Sequence, residues 1–160
     1  MKTYKTLVTE ADAVRRNASG KNIGEIRRAL AEALAREYPA VARAAVAARA
    51  TGAGKKYIVA QAAAALMDLA DPAVAEALDL LARAGSWREA REASAPLGLA
   101  GELIMDPAAR GLDLPGAPCS IPTSWGTNWG MPNAQAVAGM LLRRCPSLPR
   151  RGNGWEFIPA

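Results

Sequence analysis

Residues 22–38 read NIGEIRRALAEALAREY, and this stretch carries a clear helical pattern. Its larger apolar residues follow one another at steps of three or four: Ile23, Ile26, Leu30, Leu34 and Tyr38. Such spacing places side chains on one face of an α-helix, where they can be buried together. Asn22 can accept a first-turn N–H, and Glu25 stands where a capping box has its acid. The stretch therefore predicts an amphipathic helix that ends near Pro39.

The sequence around this helix, up to residue 104, is rich in alanine and keeps a helical periodicity. Residues 1–104 contain thirty alanines, which favour helix and let helices approach closely, although each buries little area. Cap and turn residues divide this part into further predicted helices over 10–17, 40–50, 56–69, 72–84 and 87–94. Residues 2–8 have β-branched and aromatic content and predict a short strand or an extended lead-in. Pro96, Gly98 and Gly101 predict a loosened chain.

The chain changes character near residue 105. Eight of the eleven prolines and three of the four tryptophans come after this point, so the helical pattern does not continue. One further helix is predicted over about 134–144. The expected fold is mainly α, with residues 1–104 forming an Ala/Arg-rich domain that is a compact array of five to seven short antiparallel helices. Residues 105–160 are expected to form an irregular Pro/Gly/Trp-rich segment wrapped over that array.

Positive charge is concentrated in the first third of a chain whose net charge is +5. Residues 1–56 have twelve Lys and Arg against five Asp and Glu, whereas residues 57–104 have three against seven. This asymmetry favours a basic face that docks on nucleic acid or on an acidic protein surface. The candidate nucleic-acid-binding residues are Arg15, Arg16, Arg27, Arg28, Arg43, Arg49, Lys55 and Lys56. The alternative is a solvated helix face whose charge is absorbed by Glu25, Glu32 and Glu37.

Residues 124–130 hold two tryptophans four positions apart, each followed by glycine. Three uses are open for them: they fill gaps in an alanine-rich core, anchor a protein interface, or form a stacking platform for bases or sugars. Residues 150–157 repeat the combination of basic residues, glycine and aromatic residues. The candidate protein-interface residues are therefore Trp125, Trp129, Trp155 and Phe157.

The residue content argues against several kinds of catalysis. There is no histidine, which excludes Ser-His-Asp and Cys-His arrangements and the HExxH zinc site. Cys119 and Cys145 lack paired spacing, so free thiols are expected, with no metal site and no cofactor. The stretch GAGKK at residues 52–56 departs from a phosphate-binding Walker loop at Arg49 and Lys56, and a helix–helix turn is the simpler interpretation.

The function predicted from these patterns is binding, with no catalytic residue assigned. No apolar run of about 18 residues or more is present and no signal peptide is visible, so a cytoplasmic protein without membrane contact is expected. We expect a non-enzymatic basic helical protein that docks on nucleic acid or on a nucleoprotein assembly, such as one of phage or mobile-element origin. An oligomer within such an assembly is compatible with the sequence. The alternatives are a protein-binding adaptor or inhibitor anchored by tryptophans and a cysteine-dependent enzyme that uses Cys119.

Overall fold

The structure is a computed structural model, and it describes residues 2–16, 23–49, 54–66, 73–107 and 129–144. Within these ranges the chain forms eight α-helices and one 3₁₀ turn. They are α1 (Tyr4–Arg16), α2 (Ile23–Glu37), α3 (Pro39–Arg49), α4 (Gly54–Leu66), α5 (Ala73–Ala82), α6 (Trp87–Ser94), the 3₁₀ turn (Ala95–Leu97), α7 (Leu99–Met105) and α8 (Met131–Arg144). The described part is mainly helical and has no strand, which confirms the mainly α class. Seven of these α-helices, α1 to α7, begin within residues 1–104, for which five to seven are predicted, although α7 falls where the sequence predicts a loosened chain.

Helix α1 begins at Tyr4, well before the predicted start at residue 10. Thr3 caps it, because the Thr3 Oγ1 accepts a first-turn backbone N–H at 3.2 Å. Tyr4, Leu7 and Ala11 follow helical spacing, and all three are buried. The expected strand or extended lead-in over residues 2–8 is therefore wrong. Burial of this helical face outweighs the strand preference of the β-branched residues.

The first residues of α1 lie against the end of α2. The backbone N–H of Tyr4 donates to Glu37 Oε2 at 2.7 Å, and Arg36 Nη2 donates to the Lys2 carbonyl at 3.1 Å. The rings of Tyr4 and Tyr38 meet edge to face, with centroids 5.9 Å apart and an interplanar angle of 80°. These contacts join the start of one helix to the end of the next, so α1 and α2 run in opposite directions.

Helix α4 lies at the centre of the described fold, because it packs against α3, α7 and α8. Every residue from Tyr57 to Ala64 is buried, so the helix has no solvated face in that stretch. Four of its buried side chains are alanines, and their small size allows neighbouring helix backbones to come close. Gln61 is the exception: its carboxamide is fully buried, and neither Oε1 nor Nε2 has a hydrogen-bond partner in the part of the chain that is described.

The start of α6 is held by a local cap. Ser86 Oγ accepts the backbone N–H of Glu89 at 3.1 Å, and Glu89 Oε2 accepts the backbone N–H of Gly85 at 2.8 Å. This arrangement is a capping box with one difference. The acid accepts the backbone N–H of Gly85, the residue before the N-cap, and not that of Ser86 itself. It sets the first residue of α6, and the observed range 87–94 agrees with the sequence prediction.

The corner between α6 and α7 depends on two glycines. Gly98 has φ 56° and ψ −128°, a backbone conformation that residues with a Cβ rarely adopt. Gly101 is buried, and a Cβ built on it would lie 2.3 Å from the Ser94 carbonyl oxygen. The prediction that these glycines loosen the chain is wrong. One turns the backbone, and the other lets α7 pack directly on the end of α6.

Helix α8 packs against α4, α5 and α7. Its observed range, Met131–Arg144, confirms the predicted helix and begins three residues earlier, with Pro132 in the first turn where proline is well tolerated. One side chain in this helix and one just before it form hydrogen bonds to the rest of the fold. Gln135 Nε2 donates to the Ala84 carbonyl at 2.6 Å, and Trp129 Nε1 donates to the Ile104 carbonyl at 2.7 Å.

Candidate nucleic-acid interface

Three of the eight predicted nucleic-acid-binding side chains are described, and all three are exposed. Arg28 lies on α2, Arg43 on α3 and Lys55 in the first turn of α4. Helix α2 packs on α3, and α3 packs on α4, so the three cations lie on consecutive, contacting helices. On α2 and α3 the buried residues face the core, and the arginine occupies the solvated side. Lys55 is exposed because it lies in the first turn of α4, before the buried stretch begins.

These three cations differ from others in the same part of the chain in their electrostatic partners. Lys2 Nζ lies 2.7 Å from Glu10 Oε1, and Arg36 Nη2 lies 3.6 Å from Glu37 Oε2. By contrast, no ion pair between described residues involves Arg28, Arg43 or Lys55. These three cations can therefore bind an anionic partner directly, whereas Lys2 and Arg36 would first have to break an ion pair.

The other predicted cations are placed by their helices, although their side chains are outside the described set. Arg15 and Arg16 end α1, and Arg27 precedes Arg28 in the second turn of α2. Because α1 and α2 run in opposite directions, these four positions fall at one end of the pair. The backbone therefore brings together four arginines that are separated by ten or more residues between the two helices.

A second group forms where α3 meets α4. Arg49 is the last residue of α3, and Lys55 and Lys56 follow at the start of α4. The two helices pack together and are joined by residues 50–53, so the three positions lie at the same end of that pair. Of the predicted GAGKK turn, Gly52 and Ala53 fall outside the described residues, and Gly54 to Lys56 begin α4.

Of the predicted protein-interface residues, the structure describes Trp129 alone. Its indole is half-buried against the core, and its N–H is used by the Ile104 carbonyl. This contact joins the segment before α8 to the end of α7. Trp125, Trp155 and Phe157 lie outside the described residues, so the interface that they were predicted to form stays a prediction.

Lys5 is a further cation that the sequence analysis did not include. It is exposed on α1, and its side chain forms no ion pair with any other described residue. Residues 2–8 were expected to form a short strand or an extended lead-in, and no helix face was predicted there. Helical spacing of Tyr4, Leu7 and Ala11 is the signal that could have placed Lys5 on the solvated side of a helix.

The described residues contain no group of three or more His, Cys, Asp or Glu side chains arranged to hold a metal ion. Cys119 and Cys145 fall outside these residues. Among the helices that are described, none combines the length and the apolar character needed to traverse a lipid bilayer. No family model, no curated protein and no solved structure matches this chain.

Proposed function

We propose that this chain is a non-enzymatic, cytoplasmic binding protein that docks on nucleic acid, or on a nucleoprotein assembly such as one of phage or mobile-element origin, through its basic N-terminal helices. The observation that supports this proposal is the exposure of Arg28, Arg43 and Lys55 on contacting helices without acidic partners among the described residues. The surrounding residues 1–56 have a net charge of +7. A protein with such a surface attracts phosphates at long range and releases counterions when it binds.

We also infer how the helices and the C-terminal segment are arranged around the basic surface. The helices form an antiparallel array, and residues 105–160 are laid across it on the side of α4, α5 and α7. The packing of α8 on these helices supports this arrangement, together with the hydrogen bond from Trp129 to the Ile104 carbonyl. In this arrangement the basic helices α1 to α3 stay free for a partner.

Binding should depend on the phosphate backbone, with little preference for base sequence. No zinc finger or RNA-binding signature is readable in the sequence. Contacts between cations and phosphates position a protein on nucleic acid and carry no sequence information directly. Affinity should therefore fall steeply with salt and differ little between duplexes of unrelated sequence.

A charge-neutralising double variant tests the proposal. Arg28→Gln with Arg43→Gln should weaken binding to a labelled mixed-sequence DNA duplex, because two phosphate contacts are lost. The slope of log K against log salt should become shallower by about 2, since each contact contributes about 0.9 in duplex DNA. Fluorescence anisotropy titrations between about 50 and 200 mM salt measure both quantities.

Arg88→Gln with Arg91→Gln is the matched control, because it removes the same charge from exposed positions on α6, in the segment of opposite net charge. This control should keep the wild-type slope. Equal losses in the two double variants would show that net charge alone drives the binding. A wild-type protein that fails to bind DNA or RNA even at low salt would contradict the proposed function altogether.

A further inference from the structure

Gln61 is an anomaly in the most buried helix of the described fold. Its residue is 0% exposed, and both polar atoms of its carboxamide lack a hydrogen-bond partner among the described residues. Its neighbours along α4 are Ala60, Ala62, Ala63 and Ala64, all buried. An amide in water makes several hydrogen bonds, so burial without any partner is unfavourable compared with an apolar side chain of the same size.

The second glutamine in the chain shows how a partly buried amide is ordinarily accommodated. Gln135 lies on α8, and its Nε2 donates to the Ala84 carbonyl at 2.6 Å. It therefore contributes a contact between α8 and the turn that follows α5. The two side chains are chemically identical, but Gln135 has a hydrogen-bond partner and Gln61 has none among the described residues. Comparing variants at the two positions therefore distinguishes the loss of an amide from the loss of an unpaired amide.

We propose that Gln61 makes the centre of the fold a built-in opening device. When the helices around α4 separate locally, the amide gains hydrogen bonds to water that the closed state does not provide. Opening is therefore easier than it would be around an apolar side chain at this position. The thin contact layer favours the same motion, because alanines bury little area and few apolar contacts are lost when a neighbour moves away.

The opening also bears on the basic helices. Helix α3, with Arg43, and helix α4, with Lys55, pack directly on each other. A local separation around Gln61 moves Arg43 and Lys55 relative to one another. This consequence rests on the proposed function, whereas the opening itself does not.

Native-state hydrogen exchange of the full chain tests the opening. In the wild-type protein, backbone amides of α4 should exchange through a motion with a weaker denaturant dependence than global unfolding, because only part of the surface is exposed. Gln61→Met should slow this exchange by about tenfold to a hundredfold, since the apolar isostere gains nothing from hydration when the core opens. Exchange that occurs only by global unfolding in the wild type would overturn the proposal without any variant.

Gln135→Met is the matched control. It removes an amide that has a partner, so it should lower global stability and should not slow exchange in α4. If Gln61→Met destabilises the protein as Gln135→Met does, or leaves exchange in α4 unchanged or faster, Gln61 is not an unpaired amide in solution and the proposal is wrong. The experiment needs no nucleic acid, so its failure is distinguishable from failure of the binding function.

Discussion

Gly98 and Gly101 are constrained by different physical effects, so alanine at the two positions should have different consequences. A Cβ at Gly101 would lie 2.3 Å from the carbonyl oxygen of Ser94, and this backbone atom moves only if the helices shift. A Cβ at Gly98 meets nothing within 4 Å, so the cost there is backbone strain at φ 56°. We expect about 1–2 kcal/mol of destabilisation for Gly98→Ala and about 3 kcal/mol for Gly101→Ala, measured by urea unfolding.

Gly139 in α8 is the control for this pair. A Cβ there would meet the Arg143 Nη1 at 3.3 Å, which is the end of a flexible side chain that can move aside. Gly139→Ala should therefore stabilise the protein by about 0.5–1 kcal/mol, as alanine does in a helix interior. A free energy of unfolding for Gly101→Ala that matches the Gly139→Ala value would contradict the close approach of α7 to α6.

The same residues show which local features the sequence can predict. The capping residues Ser86 and Glu89 act on backbone groups within four positions, so a cap of this kind is visible in the sequence alone. The need for glycine at position 101 arises from Ser94 in another helix, and it becomes visible only once the two helices are packed. Gln61 is similar: its identity is plain in the sequence, but its missing partners are a property of the assembled core.

Besides the packing of α8 on α7, one indole hydrogen bond joins the segment before α8 to the end of α7. Trp129→Phe should lower the free energy of unfolding by about 1–3 kcal/mol, because the Ile104 carbonyl loses its donor in a partly buried place. Trp87→Phe is the matched control: Trp87 is also half-buried, and no hydrogen bond from its indole is found among the described residues. Equal effects of the two substitutions in chemical denaturation would mean that the Trp129 hydrogen bond contributes nothing.

Helices with strong local signals were predicted well, and the errors occur where packing overrides them. The range of α6 was predicted correctly, and that of α5 lies within two residues of prediction at each end. The start of α1 was missed because Tyr4 and the threonines around it resemble a strand. They form a helix because Thr3 caps the first turn and Tyr4 is buried against α2. The short α7 was missed because Gly98 before it and Gly101 within it predicted a loosened chain.

Alanine sets the distance between α4 and its neighbours, so a larger side chain there should act on the whole fold. Ala62 is fully buried. Ala62→Leu should lower the free energy of unfolding by about 1–3 kcal/mol, because the added atoms force the packed helices apart. Ala47→Leu is the matched control on an exposed position of α3, and its effect should stay within about 0.5 kcal/mol. Thermal unfolding measures both, and a neutral Ala62→Leu would show that the core has spare volume.

The class of the fold could be predicted from the sequence, whereas the arrangement of the candidate surface could not. Periodicity and alanine content indicate helices, and they do not indicate which helix is central. The sequence showed that positive charge is concentrated before residue 57. It could not separate Arg36, which pairs with Glu37, from Arg28, which has no acidic partner among the described residues, because both have glutamates at suitable spacing. Exposure and pairing emerge only from the folded chain.

The central place of α4 has a consequence for the order of events during synthesis. Of the helices that enclose it, α3 precedes α4 in the chain, whereas α7 and α8 follow it. A nascent polypeptide therefore emerges from the ribosome with an apolar, alanine-rich helix whose later neighbours have not yet been translated. The core can close only after Leu141 has been added and has left the exit tunnel, so until then the apolar side chains of α4 lack two of the helices that bury them, which favours aggregation.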